Sequence, residues 1–313
     1  MQKLGTTGPS TEGCPPCQGL KPVLERVWKT PGRPAAPERF SANPPPARAT
    51  LVLSMPRMQA GPCALVTGGS RGIGLAIARR LTAAGHDLAL IARDETRLAA
   101  AAKDLGPRAT HFAVDLGGGA AATECLLAWL QAWLGTRPLD VLVNNAGVAP
   151  SERFETTSDA VLRTVLDLHV EVPFRLIRAL LPGMRARGRG TIVQLGSTAG
   201  LRGFPFTAAY AAAKHGMVGM TRALIAELGD SPLRVHAVCP GFVDTDITRG
   251  AAAKIAARGK QSAEDALGKL GKMNALGRMH TPDEVAGFVA TLVAQATPSG
   301  VWDLDREPPT RIE

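Results

Sequence analysis

Six short apolar runs, each separated from the next by at least a helix-sized segment, constrain this chain more than any other feature. They are Ala64 to Val66, Leu88 to Ile91, His111 to Val114, Val141 to Val143, Ile192 to Leu195 and Val235 to Val238. Runs apolar on both faces must be covered on both sides, and parallel neighbours need long crossovers. The pattern therefore predicts an α/β fold: one doubly wound parallel sheet flanked by helices, spanning residues 61–313. The 45% hydrophobic content of 313 residues suffices for one sizeable core. No apolar run approaches the roughly 20 residues that cross a bilayer, so a soluble enzyme without a membrane span is expected.

Residues 1–60 read differently. They hold eleven of the 24 prolines, and +5 of the formal net charge of +9, with no sustained apolar period. This composition predicts a disordered, basic extension outside the fold. It is either an organelle transit segment, plastid or mitochondrial, or a product of start-site choice, since Met55 and Met58 precede the first strand; a cytoplasmic location is the leading expectation. With the excess charge in the extension and a single tyrosine in the chain, there is no base-stacking platform, and a nucleic-acid partner is not expected. Five scattered cysteines argue against a disulfide framework and for a reducing compartment. The Cys14-Pro15-Pro16-Cys17 pair lacks the further ligands a zinc site needs, and no metal is expected.

Directly after the first run comes Thr67-Gly68-Gly69-Ser70-Arg71-Gly72-Ile73-Gly74, opening a helix predicted over Ile73 to Ala84. Glycines let the backbone turn sharply and approach a pyrophosphate, whose charge then rests on free amides at the helix N-terminus. The spacing is Gly-x-x-x-Gly-x-Gly, and the strand-loop-helix setting favours a Rossmann-type dinucleotide site over a plain turn.

Further on, Thr191 to Lys214 sets Ser197 thirteen residues before Tyr210, with Lys214 four residues after it. Positions four apart share one helix face, so Tyr210 and Lys214 point the same way. A phenol titrates near pH 10, and a cation beside it would make the phenolate tolerable. A serine at the end of the facing strand would hold a substrate oxygen within reach. Together they form an acid catalyst suited to carbonyl reduction.

From Cys63 to Val301 the chain resembles the short-chain dehydrogenase/reductase family, and is similar to its 3-oxoacyl-carrier-protein reductase-like members. The resemblance rests on TGGSRGIG from Thr67, Asp115-Leu116, Asn144-Asn145-Ala146-Gly147, Ser197 with Tyr210-x-x-x-Lys214, and Cys239-Pro240-Gly241 leading to Thr245. It implies that Thr67, Gly68, Gly72 and Gly74 form the pyrophosphate loop, with Ser70 and Ile73 lining it. Asp115 and Leu116 would meet the adenine, and Asn144, Ala146 and Gly147 would shape the adenosine side. Pro240, Gly241, Val243 and Thr245 would flank the nicotinamide. Tyr210 would protonate the substrate oxygen and Ser197 orient it, while Lys214 would hold the nicotinamide ribose and depress the tyrosine pKa.

Coenzyme choice turns on the end of the second run, where an acid would accept the ribose hydroxyls and an arginine would favour a 2′-phosphate. That slot holds Ala92, followed by Arg93, and Arg71 in the loop supplies a second cation. Asp94 competes for the ribose, but it precedes Glu95-Thr96-Arg97-Leu98 and reads as a helix N-cap. NADP(H) is thus favoured over NAD(H).

Two departures from the family pattern stand out. In the central long helix, His169 of His169-Val170-Glu171-Val172-Pro173-Phe174 takes the place of an asparagine that supports a water chain to the lysine. Either the imidazole preserves that relay or it is a packed structural histidine. At the end, Val301-Trp302-Asp303-Leu304-Asp305 replaces the usual Asp-Gly-Gly finish, which leaves a dimer or a tetramer open for the expected homo-oligomer. Substrate recognition is expected between Phe242 and Leu276, whose Lys254, Lys260, Lys269 and Lys272 read as solvated helix faces rather than an anionic-carrier patch. The expected substrate is a small-molecule ketone or an acyl thioester. Oxidation of a secondary alcohol by the same residues, and a catalytically weak dinucleotide-binding regulator, are the alternatives.

Overall fold

In the computed structural model, residues 61–259 and 261–312 are described. The reading of residues 1–60 as a disordered extension, and of the Cys14 and Cys17 pair, lies outside them. The six runs become strands β1 (Cys63–Thr67), β2 (Asp87–Ala92), β3 (Ala109–Ala113), β4 (Leu139–Asn144), β5 (Thr191–Leu195) and β6 (Arg234–Cys239). β7 (Gly300–Asp303) and the two-residue β8 (Thr310–Arg311) complete one sheet in the order β3-β2-β1-β4-β5-β6-β7-β8. All neighbours are parallel except β8, which runs antiparallel to β7. The last strand therefore persists although its ending departs from the family pattern.

β1, β5 and most of β6 are buried on both faces, as continuous apolar runs require. β3 begins two residues before the predicted His111–Val114 and ends one residue short of it. It is the edge strand and is mostly half-buried, so its apolar pattern is the weakest guide to its limits. One core layer packs Leu65, Ile91, Leu142 and Ile192 against Trp129 and Leu176; the other packs Val66, Leu90, Val143 and Val193 against Ile77 and Val285.

The helices are α1 (Gly72–Ala83), α2 (Glu95–Leu105), α3 (Gly119–Leu134), α4 (Asp159–Leu166), α5 (Val172–Arg187), α6 (Ala208–Leu228), α7 (Asp246–Arg258), α8 (Ala263–Lys272) and α9 (Pro282–Ala294). The central long helix expected around His169 is in fact α4 and α5 joined by a π-helical turn, Asp167–Glu171. Pro173 accounts for this. It offers no N–H to the His169 carbonyl four residues back, and its ring would clash with that carbonyl in a regular helix, so the backbone widens there. Among the described cysteines, Cys63 and Cys239 are buried free thiols.

The strand order reverses direction between β1 and β4, and the carboxyl ends of both strands open into one cleft of about 1100 Å³. That crevice is where ligands bind in doubly wound sheets.

Candidate active site

At one end of the cleft lies the glycine loop. Gly68 adopts φ +69° and Gly72 φ +55°, the left-handed region that favours glycine. A Cβ on Gly74 would lie 2.9 Å from Gly68 C and closer still to Gly68 O, so the loop folds onto the first turn of α1 only because that position is bare. Thr67 is buried beneath, its hydroxyl accepting from the amides of Asn145 (3.0 Å) and Ala146 (3.1 Å). Asn145 in turn donates its amide to Thr67 O (2.9 Å) and Gly68 O (3.2 Å), locking the two loops together.

The α1 N-terminus lacks a side-chain cap and has no acid in its first turn. By contrast, Asp94, Thr245, Ser262 and Thr281 each accept a hydrogen bond from the first turn of the helix they precede. The orphan amides of α1 face a cleft lined by Gly68, Ser70, Arg71, Gly72 and Ile73, which suits the pyrophosphate of a dinucleotide.

The cleft also takes in Arg93, Asp115, Leu116, Ala146, Gly147, Pro240, Gly241, Val243 and Thr245. Three expected residues stand behind its wall: Thr67 and Gly74, which shape the loop, and Asn144. The Asn144 side chain is buried and turned away from the cleft, a correction to its expected place on the adenosine side. Its neighbour Asn145 faces the cleft, because alternate residues of an extended chain point to opposite sides.

At the adenosine end, Ala92 closes β2 and offers no carboxylate. The Asp94 carboxylate caps α2, accepting from Arg97 N–H at 3.0 Å. Arg97 lines the cleft beside Arg71 and Arg93, a third cation that sequence reasoning missed. Its position in the first turn of α2 was the available signal. Acids offset these cations in part: Asp246 pairs with Arg71 at 2.9 Å, and Asp115 lies 4.0 Å from Arg93.

The other end brings Ser197, Tyr210 and Lys214 together. Ser197 follows β5 and caps a short turn over Thr198–Gly200, its hydroxyl accepting from Ala199 N–H at 3.1 Å. It stands close enough to the Tyr210 hydroxyl to lower the pKa of that phenol. Lys214 is buried at 4% exposure and donates to Leu195 O at 2.5 Å, with its Nζ 5.7 Å from the Tyr210 ring centre. Burial pushes the Tyr210 phenol up to about 12, opposed by the nearby Ser197 hydroxyl, and pushes Lys214 down to about 8. Desolvation, the largest influence on Tyr210, runs against the depression expected from Lys214. Its effect is to keep the phenol protonated at neutral pH, the form an acid requires.

His169 is buried within the π-helical turn. Its Nε2 lies 2.8 Å from Val148 O, and its ring meets Tyr210 edge-on at 5.4 Å between centres. A Cβ on Gly147 would lie 2.9 Å from both ring nitrogens. Burial and the neighbouring Lys214 charge hold its pKa well below the usual histidine value, so it is neutral at working pH. Its Nδ1 has no hydrogen-bond partner among the described residues.

The expected substrate segment forms the remaining wall. Phe204 and Phe242 meet edge-on at 6.1 Å, with Met273 and Ile255 beside them. Lys254, Lys269 and Lys272 are exposed and do not line the cleft; Lys260 lies outside the described residues. Among the described residues no cluster could hold a metal ion, and no helix is long and apolar enough to cross a membrane.

Residues 62–256 match the short chain dehydrogenase family. A Streptomyces virginiae protein named as a ketoacyl reductase of a monensin polyketide synthase is 39% identical over 241 residues, which is 75% of this chain and 91% of its own length. The 3-oxoacyl-acyl-carrier-protein reductase FabG of Escherichia coli strain K12 is 32% identical over 234 residues, 75% of this chain and 90% of its own. Among solved structures, an actinorhodin polyketide ketoreductase variant with NADPH superposes at a TM-score of 0.72 with 34% identity, covering 78% of this chain and 95% of that one.

Proposed function

The chain belongs to the short-chain dehydrogenase/reductase family and is an NAD(P)-dependent oxidoreductase, and we propose that it acts as an NADPH-dependent reductase of ketones or 3-oxoacyl thioesters. One observation carries this reading. A protonated phenol, beside Ser197 and backed by the buried Lys214, stands at the end of a cleft whose other end is a bare, glycine-lined helix N-terminus. The relatives named as ketoacyl reductases favour the reductive direction, and the aromatic wall of Phe204 and Phe242 suits a carbon-rich substrate.

A nicotinamide coenzyme, when bound, supplies the hydride. Gly68, Ser70, Gly72 and Ile73 would cradle its pyrophosphate, and Pro240, Gly241, Val243 and Thr245 would border its nicotinamide half. Ser197 positions the carbonyl oxygen, and Tyr210 gives its hydroxyl proton to that oxygen as negative charge develops. Lys214, mostly protonated below about pH 8, offsets the charge left on the phenolate. In a parent chain tested against acetoacetyl thioesters, steroids and simple ketones, NADPH oxidation with at least one is expected; none with any would overturn the reading.

Coenzyme preference follows from the adenosine end. With no acid at Ala92, the Asp94 carboxylate engaged as a cap, and Arg93 and Arg97 lining the cleft to meet a 2′-phosphate, kcat/KM is expected to favour NADPH over NADH by about tenfold or more, the scale of one charge-assisted hydrogen bond. Arg93→Ala should narrow the ratio. A preference for NADH would contradict the assignment.

His169 is a neutral packing residue that braces Val148 and Gly147, by this reading, rather than a titrating relay. Because its pKa is lowered in the fold, the unfolded chain takes up a proton first as pH falls below about 6.5, and folding is destabilised there, not above. His169→Asn is therefore expected to leave the shape of the kcat profile unchanged from about pH 6 to 9. A new or lost limb in that range would assign the imidazole a proton-transfer role.

A further inference from the structure

Asp305 lies just past β7 with a side chain 2% exposed, although it does not line the cleft. Three separate segments converge on its carboxylate. Arg202, from the loop after β5, reaches Oδ2 at 3.1 Å; the backbone N–H of Ala275, after α8, donates to the same oxygen at 2.8 Å; and the His280 ring stands 3.5 Å from Oδ1. A buried carboxylate is costly unless paired, and a neutral side chain could close this corner without that cost. The distinctive consequence of the charge is the placement of Arg202.

The Arg202 guanidinium lies 5.2 Å over the Phe204 ring, so its other face bears on the aromatic wall of the cleft. The second ring of that wall is fixed from the same corner. Asn274, adjacent to Ala275, accepts from Phe242 N–H at 2.7 Å and donates to Phe242 O at 2.9 Å. Gly241 leaves room for both groups: a Cβ there would lie 2.7 Å from Asn274 Cγ and 3.0 Å from Asp305 Oδ1.

We propose that Asp305 is a positioning residue which, through Arg202 and alongside Asn274, fixes the Phe204–Phe242 wall against which the substrate's carbon skeleton rests. It sets substrate affinity without touching the reacting atoms. The inference rests on the reading of the cleft as a carbonyl-reduction site.

The test is steady-state kinetics on the full chain, with NADPH and the carbonyl compound that the parent turns over fastest. Asp305→Asn and Arg202→Ala are each expected to raise KM for the carbonyl compound about tenfold, with kcat changed less than about threefold and KM for NADPH unmoved. The double variant should be no worse than either single one, because both remove one interaction. Arg202 is half-exposed, so its variant remains testable if Asp305→Asn does not fold. An unchanged KM for the carbonyl compound in Arg202→Ala, additive effects in the double variant, or losses confined to kcat would each overturn the proposal. A parent chain that oxidises NADPH with no carbonyl compound would instead overturn the reading of the cleft, which these variants do not address.

Discussion

Tyr210→Phe is expected to lower kcat for carbonyl reduction by about 10²- to 10⁴-fold, the usual contribution of a positioned general acid, while changing the dissociation constant of NADPH by less than about twofold. Phenylalanine keeps the ring that meets His169 edge-on and lies 5.7 Å from Lys214 Nζ, and removes only the hydroxyl. No other tyrosine exists in the chain to take over. Among the described residues the neighbouring groups are poor substitutes as direct donor: the Cys239 thiol is buried and pushed up to about 11, the imidazole of His169 is neutral with Nε2 engaged by Val148, and Lys214 Nζ is engaged by Leu195 O. Single-turnover oxidation of bound NADPH, with binding followed separately by fluorescence, distinguishes lost chemistry from lost binding. Turnover within tenfold of the parent would mean that the proton comes from elsewhere.

The charge balance at this end explains why three residues, and not the tyrosine alone, are needed. Desolvation acts on Tyr210 and Lys214 in opposite senses, raising one and lowering the other, and in both cases it favours the uncharged form. At neutral pH the outcome is a protonated phenol beside a mostly protonated amine. After the proton has moved, the phenolate and the ammonium face each other in a medium of low dielectric, where their attraction is strongest. The pair is therefore poorly matched before the reaction and well matched after it, the differential that accelerates a chemical step.

Periodicity and spacing make the sheet, its parallel order and the Ser197, Tyr210 and Lys214 cluster legible, because each depends on local pattern or on positions one helical turn apart. The Asp94 cap is legible for the same reason. What escapes is set by contacts between distant segments. The π-helical turn at His169 is written in Pro173, four residues on, yet its consequence for the backbone appears only when the helix is built. Asn145 rather than Asn144 faces the cleft because the strand's alternation, and not the motif, decides which side chain turns outward. The Tyr210 shift runs opposite to the one expected from Lys214, because burial depth cannot be read from spacing. Asp305 and Arg202, 103 residues apart, meet only through the return of β7 to the sheet.

Gly74→Ala is expected to cost coenzyme affinity by about a hundredfold or more and to destabilise the fold by about 1–3 kcal/mol, the range for overpacking a tight site. The added methyl would meet backbone, Gly68 C at 2.9 Å with Gly68 O closer, and not the yielding end of a side chain. Gly68 cannot retreat easily. Its N–H is bound to Ile91 O at 2.7 Å, its carbonyl takes the Asn145 amide at 3.2 Å, and its φ of +69° admits few alternatives. Displacement would pass through Asn145 to the loop that carries Ala146 and Gly147. Gly183 and Gly287 are the controls, since each lies inside a helix with nothing within 4 Å of where a methyl would sit, and alanine there should be neutral or stabilising by up to about 1 kcal/mol. Thermal unfolding and NADPH titration of the three variants check this. An affinity for Gly74→Ala within tenfold of the parent would show that the loop can open without losing its grip, and that the close approach of α1 to Gly68 is a matter of packing alone.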